Sequence, residues 1–151
     1  MLVVEHPADM KAHIGQKVGT SEWVLVDQQM IDAFAAATGD HQWIHVDVER
    51  AKREMPGGKT IAHGYLTLSL LPRLGETVYQ IRHTSRAINY GTNKVRFTSM
   101  VPAGSRVRLT QVLKAVEDVK GGVRMTFEST VEIEGSEKPA LVAEALFMAF
   151  D

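Results

Sequence analysis

The chain contains no cysteine, which excludes disulfide bonds and thiolate metal sites. It also has no excess of one charge, because 17 basic and 18 acidic residues give a formal net charge of −1 at pH 7. This balance gives no support for binding to nucleic acid or to an anionic membrane surface. The longest apolar stretch, 140–150, is interrupted by Glu144 and is too short to cross a bilayer as a helix. With no charged and apolar leader at the N-terminus either, we expect a cytoplasmic protein without nucleic-acid or membrane partners.

The composition is otherwise typical of a globular protein. The chain has 151 residues, of which 44% are hydrophobic and 23% charged. This length suits one domain with a sizeable core, so we expect residues 1–151 to form a single domain. We find no internal repeat and no low-complexity segment.

Alternating apolar and polar residues in the second half predict long antiparallel strands. One face of the segment 123–133 is mostly apolar, formed by Val123, Met125, Phe127, Ser129, Val131 and Ile133. The pair Gly121-Gly122 predicts a hairpin turn that joins this strand to another over 105–117. The run 140–150 is apolar on both faces apart from Glu144, which predicts a central strand. The segments 77–81, 87–97 and 17–26 are further strand candidates.

The first half contains helix signals. Asp27 predicts the N-cap of a helix that Gly39 ends, and Asp47 predicts the cap of a short helix over 48–53. Residues 65–71 are apolar on nearly every side, which predicts a helix buried all round that Pro72 kinks or ends. Together these elements predict an α+β fold in which a long antiparallel sheet wraps around a central buried helix.

The segment 39–47 concentrates titratable side chains between two helical patterns. Asp40 and His45 are five positions apart, and the residues from Gly39 to His41 read as a turn. The two side chains can therefore converge across the bend and hold one water between them. The alternative is a plain helix C-terminus, with Gly39 at the left-handed cap position and Asp40 bonding backbone donors of the following turn.

Two segments resemble the two-part motif of the MaoC-like, R-specific enoyl-CoA hydratases. They are Ala35–Asp47, which reads AAATGDHQWIHVD, and Ile61–Leu66, which reads IAHGYL. A third, Ile88–Phe97, is similar to the subgroup that includes mycobacterial R-hydratases and nodulation protein N. The resemblance extends from about Gly15 to the C-terminus. It implies a hot-dog fold, reversible hydration of trans-2-enoyl-CoA to (R)-3-hydroxyacyl-CoA, and no cofactor beyond the coenzyme A of the substrate.

The resemblance implies catalytic roles for Asp40, His45 and Gly64. An imidazole takes a proton readily near neutral pH, so we assign His45 as the principal base and Asp40 as its partner in holding the water and returning the proton. Which group makes each transfer stays open. Gly64 stands where the central helix begins, and its N–H is a suitable donor to the thioester oxygen. Its alternative role is a plain helix start.

Candidate substrate-binding residues are Gln42, Trp43, His63, Asn93, Lys94 and Arg96. Many relatives have Asn-Pro where this chain has Gln42-Trp43, so we expect a bulkier loop and a different shape of acyl pocket. His63 is otherwise a helix cap or a hydrogen-bonded core residue. If Val95 and Phe97 face the core, alternation places the two basic candidates on the outer face, as solvated charges or contacts to coenzyme A phosphates.

Other sites and function classes remain open at this point. A metal site made of Asp40, His41, His45 and His63 is not expected, because the histidines read as loop and lack the helical pattern of zinc enzymes. The same fold can serve a non-catalytic acyl-CoA-binding or partner subunit, or an acyl-CoA thioesterase. The complete catalytic set favours the hydratase. The two-faced apolar strand and the apolar helix predict a homodimer with the acyl-CoA site near the interface.

Overall fold

Eight strands and five α-helices form the chain in the computed structural model, which describes residues 1–151. The strands are β1 (Leu2–Val4), β2 (Lys17–Thr20), β3 (Val24–Val26), β4 (Tyr79–Ile81), β5 (Arg86–Phe97), β6 (Ser105–Val119), β7 (Gly122–Ile133) and β8 (Leu141–Phe150). The helices are α1 (Gln28–Thr38), α2 (Trp43–Val46), α3 (Val48–Glu54), α4 (Gly64–Ser69) and α5 (Leu71–Gly75). No helix has both the length and the apolar character needed to cross a membrane.

The main sheet is antiparallel, with strand order β2-β6-β7-β8-β5 and with β3 also paired to β6. The predicted hairpin joins β6 to β7, and its turn contains Gly121 at φ +81°, a conformation that glycine adopts without strain. All six residues of the predicted apolar face of β7 are buried. β8 lies between β7 and β5, which confirms the prediction of an interior strand.

Leucines of α4, of α5 and of the junction between them form a common core with the inner face of the sheet. Leu66, Leu70 and Leu74 are buried in one apolar cluster that also contains Phe127, which is fully buried on β7. Tyr79 stacks on Phe127 with ring centroids 5.2 Å apart, and burial raises the pKa of Tyr79 to about 12. The predicted α+β class, with helices packed against a long antiparallel sheet, is therefore confirmed.

The central helix differs from its prediction in its burial. It is interrupted near the predicted place, because it breaks at Leu70 into α4 and α5, and Pro72 lies in the first turn of α5, where its missing N–H is not required. It is not buried all round, since Tyr65 is 68% exposed. An apolar sequence shows that a helix has no polar side, but not how much of its surface one sheet covers.

Two predicted strands occupy unexpected places. β4 leaves the main sheet and pairs in parallel with β1 in a separate two-stranded sheet. β5 is an edge strand whose residues are exposed except for the half-buried Val95, and its pairing with β8 is irregular at two positions. The condition that Val95 and Phe97 both face the core is met only by Val95, which packs against the core, because Phe97 is 47% exposed.

The helix caps that lead into and out of segment 39–47 follow the sequence signals. The Asp27 carboxylate accepts a hydrogen bond from the Met30 N–H at 2.9 Å, and Asp47 accepts one from the Arg50 N–H at 3.0 Å. Gly39 ends α1 with φ +81°. Gly39 fixes the end of α1 and Asp47 fixes the start of α3. The site must therefore form within the residues between these two positions.

We expect Asp27→Ala to lower the free energy of unfolding by about 1 kcal/mol, because the first turn of α1 loses its side-chain acceptor. Urea unfolding at equal protein concentration measures the change. Asp27→Asn keeps an acceptor oxygen at the same position and is expected to retain most of the stability. Equal stability of the wild type and Asp27→Ala would contradict the capping role.

Candidate active site

Three pieces of chain meet at the site: the turn after α1, the helical turn α2, and the segment 60–64. The sequence predicted a loop throughout 41–46, but His45 lies on α2, a helix of four residues. One turn is too short to show a periodic pattern, which explains the error. The Ile61 N–H donates to the Ile44 carbonyl at 3.0 Å, so the segment that precedes α4 is joined to α2 through the backbone.

The ring of His45 is held in a defined orientation. Its Nδ1 lies 2.7 Å from the carbonyl oxygen of Ile61, and the residue is only 6% exposed. A carbonyl oxygen can only accept, so Nδ1 carries the hydrogen and Nε2 of a neutral ring carries the lone pair. His45 is therefore prepared to take up a proton at Nε2.

His63 lies against His45 and is almost fully buried. The two rings stack with centroids 3.8 Å apart and planes 23° apart, and Phe34 contacts His63 at 4.8 Å between centroids. His63 Nε2 donates to the backbone carbonyl of Asp40 at 3.0 Å, while its buried Nδ1 has no partner. His63 thus supports both the loop that carries Asp40 and the ring of His45.

The side chains of Asp40, His45 and His63 converge. One carboxylate oxygen and one nitrogen of each ring lie within 4.8 Å of one another, a separation that one hydrogen-bonded water can bridge. The Asp40 carboxylate is exposed and also accepts a hydrogen bond from the Gln42 N–H at 3.3 Å. The sequence offered a bond from Asp40 to a backbone N–H of the following turn as the alternative to a meeting of Asp40 with His45. Both are present in the structure.

A cavity of about 180 Å³ opens beside His45 and is lined by Gly64, Thr67, Phe97 and Met100, among others. Gly64 begins α4, so its N–H has no partner within the helix. A Cβ at this position would lie 2.9 Å from the ring of Phe97. Glycine thus lets the ring and the helix start approach each other closely while the N–H remains available.

The stacked rings do not suit a shared metal ion. A nitrogen lone pair lies in the plane of its imidazole, and a bound Zn²⁺ lies about 2.0–2.1 Å from that nitrogen. The rings of His45 and His63 are stacked 3.8 Å apart, so their lone pairs run side by side instead of meeting at one point. His41, the fourth residue of the hypothetical site, is exposed on the preceding turn and does not join the cluster.

All six predicted substrate-binding residues, His63 included, lie outside the cavity lining. Gln42 is exposed, and the Trp43 ring lies under the Arg50 guanidinium at 3.9 Å. On the edge strand β5, Asn93 donates to Glu144. Lys94 and Arg96 are exposed there, and contacts from them to coenzyme A phosphates stay a prediction.

Sequence reasoning missed several residues of the site. Phe97 and Met100 line the cavity, Phe34 packs on His63, and Gln28 donates to the backbone carbonyl of His45. Phe97 ends the recognised segment 88–97, which offered a signal that the prediction did not use. Gln28 lies 17 residues ahead of His45, and no spacing rule connects them.

The chain is similar to known proteins over most of its length. A family model described as MaoC like domain matches residues 9–134. The chain is 55% identical over 147 residues to 3-hydroxyacyl-thioester dehydratase Z of Mycobacterium tuberculosis, with 97% of each chain covered. It is 50% identical over 139 residues to nodulation protein N of Rhizobium leguminosarum bv. viciae, with 90% of this chain and 86% of that protein covered.

The solved R-hydratase of Pseudomonas aeruginosa matches with a TM-score of 0.73 at 24% identity, covering 91% of this chain and 82% of that chain. This likeness identifies the fold as the hot-dog fold that the resemblance implied.

We expect neither chelation nor added metal to affect the protein. Because the stacked rings cannot direct two lone pairs to one ion, a stoichiometric excess of Zn²⁺ should leave the thermal unfolding midpoint unchanged. Differential scanning calorimetry before and after dialysis against EDTA provides the measurement. A midpoint that rises with Zn²⁺ and returns after EDTA would contradict this view of the cluster, provided that His45→Gln abolishes the rise.

Proposed function

This chain belongs to the MaoC-like dehydratase family, and from that membership we propose that it catalyses the reversible hydration of trans-2-enoyl-CoA to (R)-3-hydroxyacyl-CoA. Enzymes of this family are hydro-lyases, so the chain is an enzyme of the class that adds or removes water. The name of the mycobacterial relative supports a 3-hydroxyacyl thioester as one of the two reactants. The observation that carries the proposal is the convergence of Asp40 with the oriented His45.

In the hydration direction, one water lies between the Asp40 carboxylate and His45 Nε2. His45 removes a proton from this water as its oxygen bonds to the β-carbon of the enoyl thioester. The electron pair of the double bond moves toward the thioester oxygen, and a proton is then delivered to the α-carbon from the Asp40 and His45 pair. The reaction moves no electrons to or from the protein, so we propose no cofactor beyond the coenzyme A of the substrate.

The negative charge that develops on the thioester oxygen requires a donor, and we assign the Gly64 N–H to this role. The group lies at the start of α4 and borders the same cavity as His45. Hydrogen-bond donors held in place for such an oxyanion typically lower the barrier by about 3 kcal/mol.

The remaining candidates are assigned to the rest of the substrate. The bulky pair Gln42-Trp43 follows Asp40 directly and would shape the entrance to the acyl pocket. Asn93, Lys94 and Arg96 lie on β5, the strand that ends at Phe97 in the cavity wall, and the two basic residues could meet coenzyme A phosphates. Cytoplasmic location stays a prediction.

We also propose that a second copy of the chain covers β5. An exposed edge strand presents unpaired backbone groups, and this one also carries large apolar side chains. Ile88, Tyr90 and Phe97 are 45%, 56% and 47% exposed, and Tyr65 of α4 contacts Phe97 at 5.7 Å between ring centroids. A two-fold symmetric pair would bury these side chains in both copies. Since Tyr65 and Phe97 flank Gly64, such a dimer would place the catalytic cavity near the interface.

Wild-type protein is expected to hydrate crotonyl-CoA, with loss of the absorbance of the conjugated enoyl thioester. Asp40→Asn and His45→Gln should each lower the rate by about a hundredfold or more, the usual scale of general acid-base catalysis. Circular dichroism establishes that both variants are folded, and chiral chromatography of the product should give the (R) configuration.

His41→Gln and Asp47→Asn serve as matched controls, because they make the same chemical changes at exposed positions of the same segment. Both should retain nearly full rates. Full activity of Asp40→Asn or His45→Gln would overturn the assignment. Release of free coenzyme A by the wild type without hydration would identify a thioesterase instead.

Light scattering should give the mass of a dimer, and replacing Ile88 and Tyr90 together by lysine should give a monomer, because charge repulsion replaces apolar contact along β5. Leu25→Lys is the matched control, since Leu25 is 49% exposed but lies on β3, which pairs with β6 and not with β5. A wild-type monomer, or a dimer that only Leu25→Lys disrupts, would contradict the proposed interface.

A further inference from the structure

Gln28 connects the start of α1 to two of the three pieces of chain that form the active site, α2 and the segment 60–64. It is the first residue of α1, and its side-chain nitrogen donates to the backbone carbonyl of His45 at 2.7 Å. The same nitrogen donates to the Asp32 carboxylate at 2.9 Å. Its side-chain oxygen accepts from the hydroxyl of Thr60, which is 2% exposed. One amide therefore joins α1, α2 and the segment that leads to α4.

The partners determine which way this amide faces. The His45 carbonyl and the ionised Asp32 carboxylate can only accept, so the NH₂ group of Gln28 must point toward them. Its oxygen then faces the Thr60 hydroxyl, which has a hydrogen to donate. Both N–H groups and the oxygen are thus hydrogen-bonded. A glutamate of the same length would offer no donor to His45, and a methionine would offer neither a donor nor a good acceptor.

The hydrogen bonds of His45 show what this connection controls. Its backbone carbonyl is held by Gln28, and its ring Nδ1 is held by the carbonyl of Ile61, the residue that follows Thr60. Thr60 is itself fixed, because its carbonyl accepts from the Ala103 N–H at 2.9 Å. The side chain of Gln28 therefore adds a second link, beside the backbone bond from Ile61 to Ile44, between the backbone of His45 and the segment that orients its ring.

We propose that Gln28, held by Thr60, is a positioning residue that keeps His45 Nε2 directed at the reacting water. The kinetic part of this inference rests on the proposed hydratase function. Gln28 acts through His45 and not on the substrate, so its loss should lower kcat and leave KM nearly unchanged. A misplacement of about 1 Å in a catalytic group can lower the rate by about a hundredfold.

The first variant is Gln28→Met, which keeps the length of the side chain and removes its hydrogen bonds. With crotonyl-CoA we expect kcat to fall by about 10- to 100-fold while KM changes by less than about threefold. Gln29→Met is the matched control, because Gln29 is the exposed neighbour on the same helix and makes no side-chain hydrogen bond. It should retain the wild-type kcat.

Thr60 provides a test by rescue. Thr60→Val removes the hydroxyl at nearly constant volume and should lower kcat in the same direction as Gln28→Met. Thr60→Ser restores the donor and should recover most of the rate. Recovery by serine would not follow if Thr60 only filled space, since serine is smaller than both threonine and valine.

Imidazole NMR separates this inference from the proposed function. Long-range ¹H–¹⁵N spectra report which nitrogen carries the hydrogen, and His45→Gln identifies the signals of His45. The wild type should show the Nδ1–H form, and Gln28→Met a mixture of both forms. If the wild type does not hydrate enoyl thioesters, the proposed function fails while the spectra still test positioning. An unchanged His45 spectrum in Gln28→Met would overturn the inference, and so would a kcat equal to that of Gln29→Met.

Discussion

The hydrogen bond from His45 Nδ1 to the carbonyl of Ile61, 2.7 Å long, determines which nitrogen of the His45 ring is basic. It depends on the segment 60–62 lying beside α2, and backbone bonds hold that segment on both sides. Ile61 donates to Ile44 at 3.0 Å, and Ala62 donates to Val101 at 2.8 Å. The position of segment 60–62 therefore determines which nitrogen of His45 can accept a proton. No side chain close to His45 in sequence is needed for this.

Local signals predicted the parts of this arrangement that depend on neighbouring residues. The caps at Asp27, Gly39 and Asp47 follow from side-chain and backbone preferences within one turn, and all three are present. The alternation in β7 reflects one buried face, so it predicted both the strand and its burial. Asp40 and His45 are close in the chain, which is why their convergence could be expected without knowledge of the fold.

Contacts between distant segments were beyond such reasoning. Tyr65 and the apolar side chains Ile88, Tyr90 and Phe97 of β5 resemble core residues, yet one copy of the sheet does not cover them, and sequence does not distinguish a core from an interface. The link from Gln28 to His45 depends on the angle between α1 and α2, which no local rule specifies. Recognition of a family motif finds residues that perform chemistry more readily than residues that orient them.

His63 shows why orientation and chemistry are difficult to separate in this site. Its ring stacks on His45 and its Nε2 donates to the carbonyl of Asp40, so it contacts both proposed catalytic residues while remaining 2% exposed. A residue so deeply buried has little access to substrate, and its Nδ1 has no hydrogen-bond partner. Its position favours support over proton transfer. The exposed Asp40 is therefore anchored through its backbone, which leaves its carboxylate free to hold water.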